Sequence, residues 1–542
     1  MLTAFLCALT AAVVILSCVP PVSRDALVHH LAVPKLYLRH GGMYEIPAMP
    51  FSYFPMNLDL LYLIPLYFGN DILPKFIHFA FALLTAWLIF DYLRRRINVP
   101  FGLFGAVFFL SIPVVVRLSI TVYVDLGLVF FSTAALLLLL KWMERGFRLR
   151  FLILSAVSCG LALGTKYNGL VTCFLLTLFV PFLYSRYGEE RSSRFGKAVG
   201  WGILFFLVSL FVFSPWMARD YRWKGNPVYP LYDGWFHARD SADREGGRGH
   251  PEKSSIGIFT YRRLMYHETG WQMVLLPVRI FFQGRDGDPR YFDGRLNPFL
   301  FLLPLFAFYR SRGDRSGARN EKKILLAFSA LFVVFALFST VLRVRYLAPV
   351  IPPLVILSAF GARNIGEILK KSASFLPARA GEMFLALILA APLLLNAIYV
   401  AEQFRRVKPF DYLSGVLSRD DYIRRYVPEY PVLNYVNAKL PPDAKLLFIF
   451  IGKRGYYCDR DYVPGTGWLY ETVKRATSPD AVLARLGSLE ITHLLIRHDL
   501  FDKWERQLAG RSRTIAAFMK KYCKLLCFEK GYGLWLVRYP AS

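Results

Sequence analysis

The chain has 542 residues, 55% of them hydrophobic, 16% aromatic and only 19% charged, with a mean hydropathy of +0.37. Soluble domains carry about 45–50% apolar and roughly 25% charged residues, so a soluble globular protein is excluded. The net charge of +28, from 66 Lys and Arg against 38 Asp and Glu, lies largely in short loops between apolar runs, which sets membrane orientation and argues against nucleic acid as a partner.

Runs of apolar residues predict an α-helical polytopic membrane protein with about eleven spans, near 2–20, 72–92, 100–117, 120–140, 151–167, 170–185, 198–216, 296–310, 324–342, 346–361 and 382–401. The first run resembles a signal peptide but lacks a basic n-region and an A-x-A site, so it reads as an uncleaved span. Basic stretches at 94–96, 141–150, 186–197, 310–323 and 363–379 then fall on one side, the cytoplasm. The N-terminus is expected inside and the C-terminus outside. A membrane domain, 1–405, carries outer loops 21–71 and 217–295. Loop 21–71 opens on a helical stretch whose Leu27, Leu31, Leu36 and Leu38 suggest a helix in the interface. Residues 271–283 are too short to span, and the glycine-rich stretch 233–256 reads as mobile.

The tail, 406–542, reads as a small extracytoplasmic α/β domain. Strands are expected at 446–450 and 493–498, helices at 430–440, 480–487 and 503–521, and two strands around a glycine turn at 524–539. No nucleotide-binding glycine fingerprint is present. Tyr456, Tyr457, Trp468 and Tyr470 suit either sugar stacking or a core. Cys523 and Cys527 pair or stay as thiols.

Ionisable groups at the edge of a bilayer point to function. Asp25, right after the first span, is read as a general base, against the alternative of a helix N-cap. His29 and His30 follow, with His29 on the same helical face as Asp25, and suit hydrogen bonding to substrate; their spacing lacks the second arm of a zinc site. Asp59 precedes the second span. Asp125 lies in an apolar stretch and needs a partner. Lys166 and Tyr167 end the fifth span. Lys166 suits a lipid phosphate, against a structural Asp–Lys pair between helices. Arg219 and Asp220 follow the seventh span, and Arg343, Arg345 and Tyr346 cap a late turn on the same outer face. Arginines there suit an anionic lipid phosphate or snorkel to headgroups.

Five motifs in order, DALVHHL (25–31), YVDL (123–126), LGTKYNGL (163–170), PWMARDYRWKGNPVYP (215–230) and RYLAPV (345–350), resemble the GT-C glycosyltransferases, in particular bacterial relatives of protein O-mannosyltransferase and of the aminoarabinose lipid A transferase. The resemblance implies a bacterial inner-membrane enzyme that takes a sugar from a polyprenyl-phosphate donor, with inversion, to a lipid, glycan or protein acceptor. It implies Asp25 as the acid/base residue and Lys166, Arg219 and Arg345 as candidates for the lipid phosphate. Many members carry two acidic residues in the first-loop motif, whereas Arg24 and Ala26 flank a single Asp25 here. No cofactor is therefore expected to be required, and a divalent metal is disfavoured. A transporter for an anionic lipid or solute and a wall-binding scaffold are the competing readings. The first lacks paired broken helices, and the second leaves the charged residues without a task.

Overall fold

The computed structural model describes residues 1–188, 194–236, 257–309, 316–338, 342–372, 378–507 and 512–540; most of the glycine-rich stretch read as mobile lies outside them. The chain forms two compact units. The membrane unit comprises Met1–Cys18, Phe54–Leu61 and Pro74–Pro409; the second comprises Val19–Tyr53, Tyr62–Leu73 and Phe410–Ser542. The second unit thus takes in Val19–Tyr53 and Tyr62–Leu73 of the first outer loop together with the tail from Phe410. In that loop Leu27, Leu31 and Val33 are buried, and Leu36 and Leu38 are half-buried.

Within the membrane unit, six helices are long and apolar enough to cross a bilayer: Leu73–Arg96, Asp125–Glu144, Gly169–Tyr187, Phe195–Lys224, Val344–Leu369 and Met383–Val407. Val99–Ser111 and Pro113–Ser119 pass the same test of length and hydropathy only when taken together, and they are bent by 66° at the break between them. The bend sits at Ile112, which precedes Pro113 and is driven to an extended ψ of 132°. Leu2–Ser17 and Leu149–Thr165 are apolar but shorter. The described residues thus do not supply eleven long spans. Segment 296–310 departs most: it folds as a single α turn, Phe299–Leu302, and a 3₁₀ turn, Leu303–Phe306. Its irregular backbone is satisfied by protein, as membrane depth requires. Asn364 donates to the carbonyls of Phe306 and Ala307, and the Lys322 ammonium donates to Ala307 at 2.8 Å. The helix expected to stop near 216 runs on to Lys224, so Arg219 and Asp220 lie inside it.

The second unit is a five-stranded sheet, β1 (Lys445–Ile449), β2 (Asp461–Pro464), β3 (His493–Arg497), β4 (Cys523–Glu529) and β5 (Tyr532–Val537), in the order β2-β1-β3-β5-β4. β1 pairs in parallel with β2 and β3, while β5 is antiparallel to both β3 and β4. Alternate residues serve two cores: Leu447, Ile449, Leu494 and Ile496 face one, Leu446, Phe448 and Leu495 the other. The expected glycine turn is Lys530–Gly531, both at positive φ, as a two-residue hairpin demands. β2 was not expected, because its four residues, Asp461 exposed and the other three half-buried, leave no apolar run. The single helix expected at 503–521 is two, His498–Gln507 and Ser512–Tyr522. Cys523 and Cys527 share strand β4; four residues of strand separate them by about 13 Å, beyond the roughly 7 Å that a disulfide bridges, so they do not pair. The aromatic set also divides: Tyr456 is buried, whereas Tyr470 is 44% exposed.

Candidate functional site

In the second unit, Asp25 opens the turn Ala26–His30. That turn is π-helical, closed by a bond from Leu31 N–H to the Ala26 carbonyl, five residues back, at 2.9 Å. A single wide turn of this kind is rare and recurs at functional sites. The Asp25 carboxylate makes no capping bond to the turn it starts, so the N-cap alternative is not what holds it. Asp25 and His29 are half-buried and His30 is buried. The His29 ring packs on His30 at 3.8 Å and stacks on Phe51 at 4.8 Å. Lys35, one turn further, bonds the Tyr456 carbonyl and the Asp459 carboxylate, both at 2.7 Å. Asp71 accepts from Arg419 at 2.5 Å and from the Tyr456 hydroxyl at 3.2 Å. Burial pushes the nearby Cys458 thiol up to about 11, which keeps it protonated and chemically quiet.

In the membrane unit, Asp125 is the first residue of its helix and fully buried. Its Oδ1 accepts from the Lys166 ammonium at 2.6 Å. The Asp–Lys pair weighed against phosphate binding is therefore present. Lys166 also stands 5.6 Å from the ring centroid of Tyr346, and the Arg345 guanidinium lies over Tyr123 and Tyr346 at 5.2 and 5.5 Å. These five residues form one cluster. Its anchor is His78: the ring Nε2 accepts from the Leu126 N–H at 2.9 Å, so Nδ1 carries the proton and donates to the carbonyls of Leu118 and Thr121.

Tyr167, next to Lys166, reaches a second cluster. Its hydroxyl contacts Asp220 Oδ2 at 3.2 Å and donates to the Tyr229 carbonyl at 2.8 Å. Arg219 holds Asp220 Oδ1 through two nitrogens, at 2.9 and 2.7 Å, and its guanidinium lies over Trp216 and Trp223 at 4.6 and 5.0 Å. Asn57 links this cluster to the Lys166 segment, accepting from Trp216 Nε1 at 2.8 Å and donating to Leu161 O at 3.3 Å. Gly164 leaves room for it: a Cβ there would push against the Asn57 amide nitrogen.

Asp59 and Arg343 lie in this unit as well. Asp59 is buried in the Asn57–Tyr67 helix. Arg343 pairs with Asp293 at 3.5 Å, and Asp293 is also held by Arg117 at 3.1 Å; it belongs to an ion network and not to the Lys166 cluster. Sequence reasoning missed His78, Asn57 and Trp216. A histidine and an asparagine beside apolar spans were the available signals.

Residues 61–218 match the family model described as dolichyl-phosphate-mannose-protein mannosyltransferase. No curated protein sequence matches the chain. Among solved structures, ArnT from Cupriavidus metallidurans in the apo state is similar over 98% of this chain and 97% of that one, with a TM-score of 0.59 at 14% identity. ArnT bound to undecaprenyl phosphate has the same coverage and identity, with a TM-score of 0.58. The apo oligosaccharyltransferase of Archaeoglobus fulgidus is similar over 96% of this chain and 73% of that one, with a TM-score of 0.52 at 13% identity. The family match and the structural likeness agree: residues 61–218 match that mannosyltransferase family model, and over nearly its whole length the chain has a fold similar to that of ArnT.

Proposed function

We propose that this protein transfers a sugar from a polyprenyl-phosphate donor to an acceptor of the bacterial envelope, at the outer face of the inner membrane, with inversion. The observation that carries the reading is Asp25: a half-buried carboxylate at the head of a π turn, beside two histidines. The matched family is named for a dolichyl-phosphate sugar, and ArnT was solved with undecaprenyl phosphate, which supports a lipid-phosphate donor.

Asp25 takes the proton of the acceptor hydroxyl as its oxygen attacks the anomeric carbon. The bond from that carbon to the phosphate oxygen breaks, and the lipid phosphate leaves with the electron pair. Lys166 gives one of its three donors to Asp125 and keeps two for a phosphate. Arg345 and Arg219 add positive charge where the leaving group gathers negative charge. His29, His30, Tyr167, Asp220 and Tyr346 bind and orient the substrates. Membrane lipids are the surroundings of this site and nucleic acid has no part in it.

Transfer proceeds without a divalent metal on this reading. Asp25 has no acidic neighbour in sequence with which to hold an ion. Purified enzyme is expected to work in chelator; activity lost there and restored by a divalent ion overturns this point.

The deciding experiment compares lipid extracts and envelope glycans from cells carrying the native chain or Asp25→Asn. Accumulation of a polyprenyl-phosphate sugar, with one residue missing from one glycan, is expected. Matching profiles with the variant present and folded would sink the reading.

A further inference from the structure

The loop leaving β1, residues 450–459, lies at the carboxyl end of parallel strands, where open sheets present ligand sites. It begins at Phe450, held at φ 60°, a costly conformation for a bulky residue. The loop is stapled to the segment that carries Asp25. Tyr456 N–H donates to the Leu27 carbonyl at 3.2 Å, the Tyr457 hydroxyl donates to Pro21 O at 2.7 Å, and Lys35 donates to the carbonyls of Tyr456 and Cys458. These bonds bring Lys453 to the rings beside Asp25. Its ammonium stands 5.9 Å from the Phe51 centroid, and Phe51 stacks on His29.

Lys453 and its neighbour Arg454 have opposite surroundings. Arg454 is 2.8 Å from the buried Glu429 carboxylate. Lys453 is half-buried, yet among the described residues no acid faces it, and burial alone holds its pKa below the ordinary lysine value. Taking an ammonium out of water without a counter-charge is unfavourable. A bound anion would remove that cost.

We propose that Lys453, with His29, binds an anionic group, phosphate or carboxylate, carried by the acceptor. The inference rests on the transfer reading above. In an in-line displacement the base and the leaving group lie on opposite sides of the anomeric carbon, so a cation tied to the base's own segment serves the acceptor. The C-terminal unit is then a reader of the acceptor and also the support of the base.

Full-length enzyme in nanodiscs would be assayed with envelope extract as acceptor source, varying donor and extract separately. Lys453→Met is expected to raise the extract concentration at half-maximal rate about ten- to a hundredfold, the worth of a charge-assisted hydrogen bond, with donor KM unchanged; Lys453→Arg restores most of it. A rise in donor KM alone would assign the cation to the lipid phosphate and overturn the proposal, as would no change in either constant. A second readout does not need turnover: acylation of Lys453, followed by mass spectrometry, is slowed by the extract and not by undecaprenyl phosphate. Protection by undecaprenyl phosphate alone, or by neither, overturns it, and this arm stands if Lys453→Met fails to fold. If the native enzyme transfers no sugar, the transfer reading fails while the acylation result still reports the anion site.

Discussion

Asp125 and Asp220 contrast with Asp25. The first two are fully buried, and each is held by a cation, Lys166 or Arg219, at 2.6 and 2.7 Å. Asp25 is half-buried and stands on an irregular turn. A buried carboxylate locked to a cation is a good brace. A carboxylate with access to water at the mouth of a site can gain and lose a proton. The difference teaches that an acidic residue in a membrane protein is not one kind of signal: depth and partner decide its task.

Three substitutions test that contrast. Asp25→Asn is expected to cut transfer on the order of 10²–10⁴-fold with the thermal midpoint kept; a loss below about tenfold would place Asp25 among the braces. Lys166→Met leaves Asp125 buried without its counter-charge, which should cost about 3–5 kcal/mol of stability, read from thermal unfolding. Lys166→Met with Asp125→Asn should recover much of it. A stable Lys166→Met that loses donor binding would instead show Lys166 to be chiefly a phosphate ligand. Gly164→Ala drives a methyl into the Asn57 amide and should cost about 1–3 kcal/mol; unchanged stability and activity would show the brace to be soft.

The smallest effect is set by pH in the second unit. Burial holds the His493 pKa below its ordinary value of 6.5. Folding therefore favours the neutral ring, and the unfolded chain takes up the proton first as the solution is acidified. The stability this contributes is complete above about 6.5 and is lost as pH falls through the lower folded value. His493→Gln should flatten the acid limb of the unfolding profile; an unchanged limb would assign the dependence to other groups.

The fold class was legible because apolar runs and basic loops are one-dimensional signals. So were β1, β3 and the β4–β5 hairpin, which carry continuous apolar stretches or a glycine turn. The rest is information about neighbours. Nothing in the spacing tells that Lys166 turns to Asp125 while Tyr167, one residue on, turns to Asp220. Arg343 and Arg345 look alike in VLRVRYL, yet one joins Asp293 and the other lies over Tyr123 and Tyr346. The burial of Leu27 and Leu31 was not legible, because leucines that cover a protein core and leucines that face lipid have the same periodicity. Segment 296–310 failed because Asn364 and Lys322, far away in sequence, satisfy a backbone that would otherwise have to be helical.

The π turn at Ala26–His30 has a consequence for sequence length. It holds one residue more than an α-helical turn would. A single-residue deletion inside it would leave every apolar position downstream in register and relax the backbone to an ordinary helix. It would also remove the widened turn that Asp25 opens and the bond from Leu31 N–H to the Ala26 carbonyl that closes it. The segment is therefore tolerant of deletion as a scaffold and intolerant of it as chemistry, so its length carries as much of the site as its residue types do.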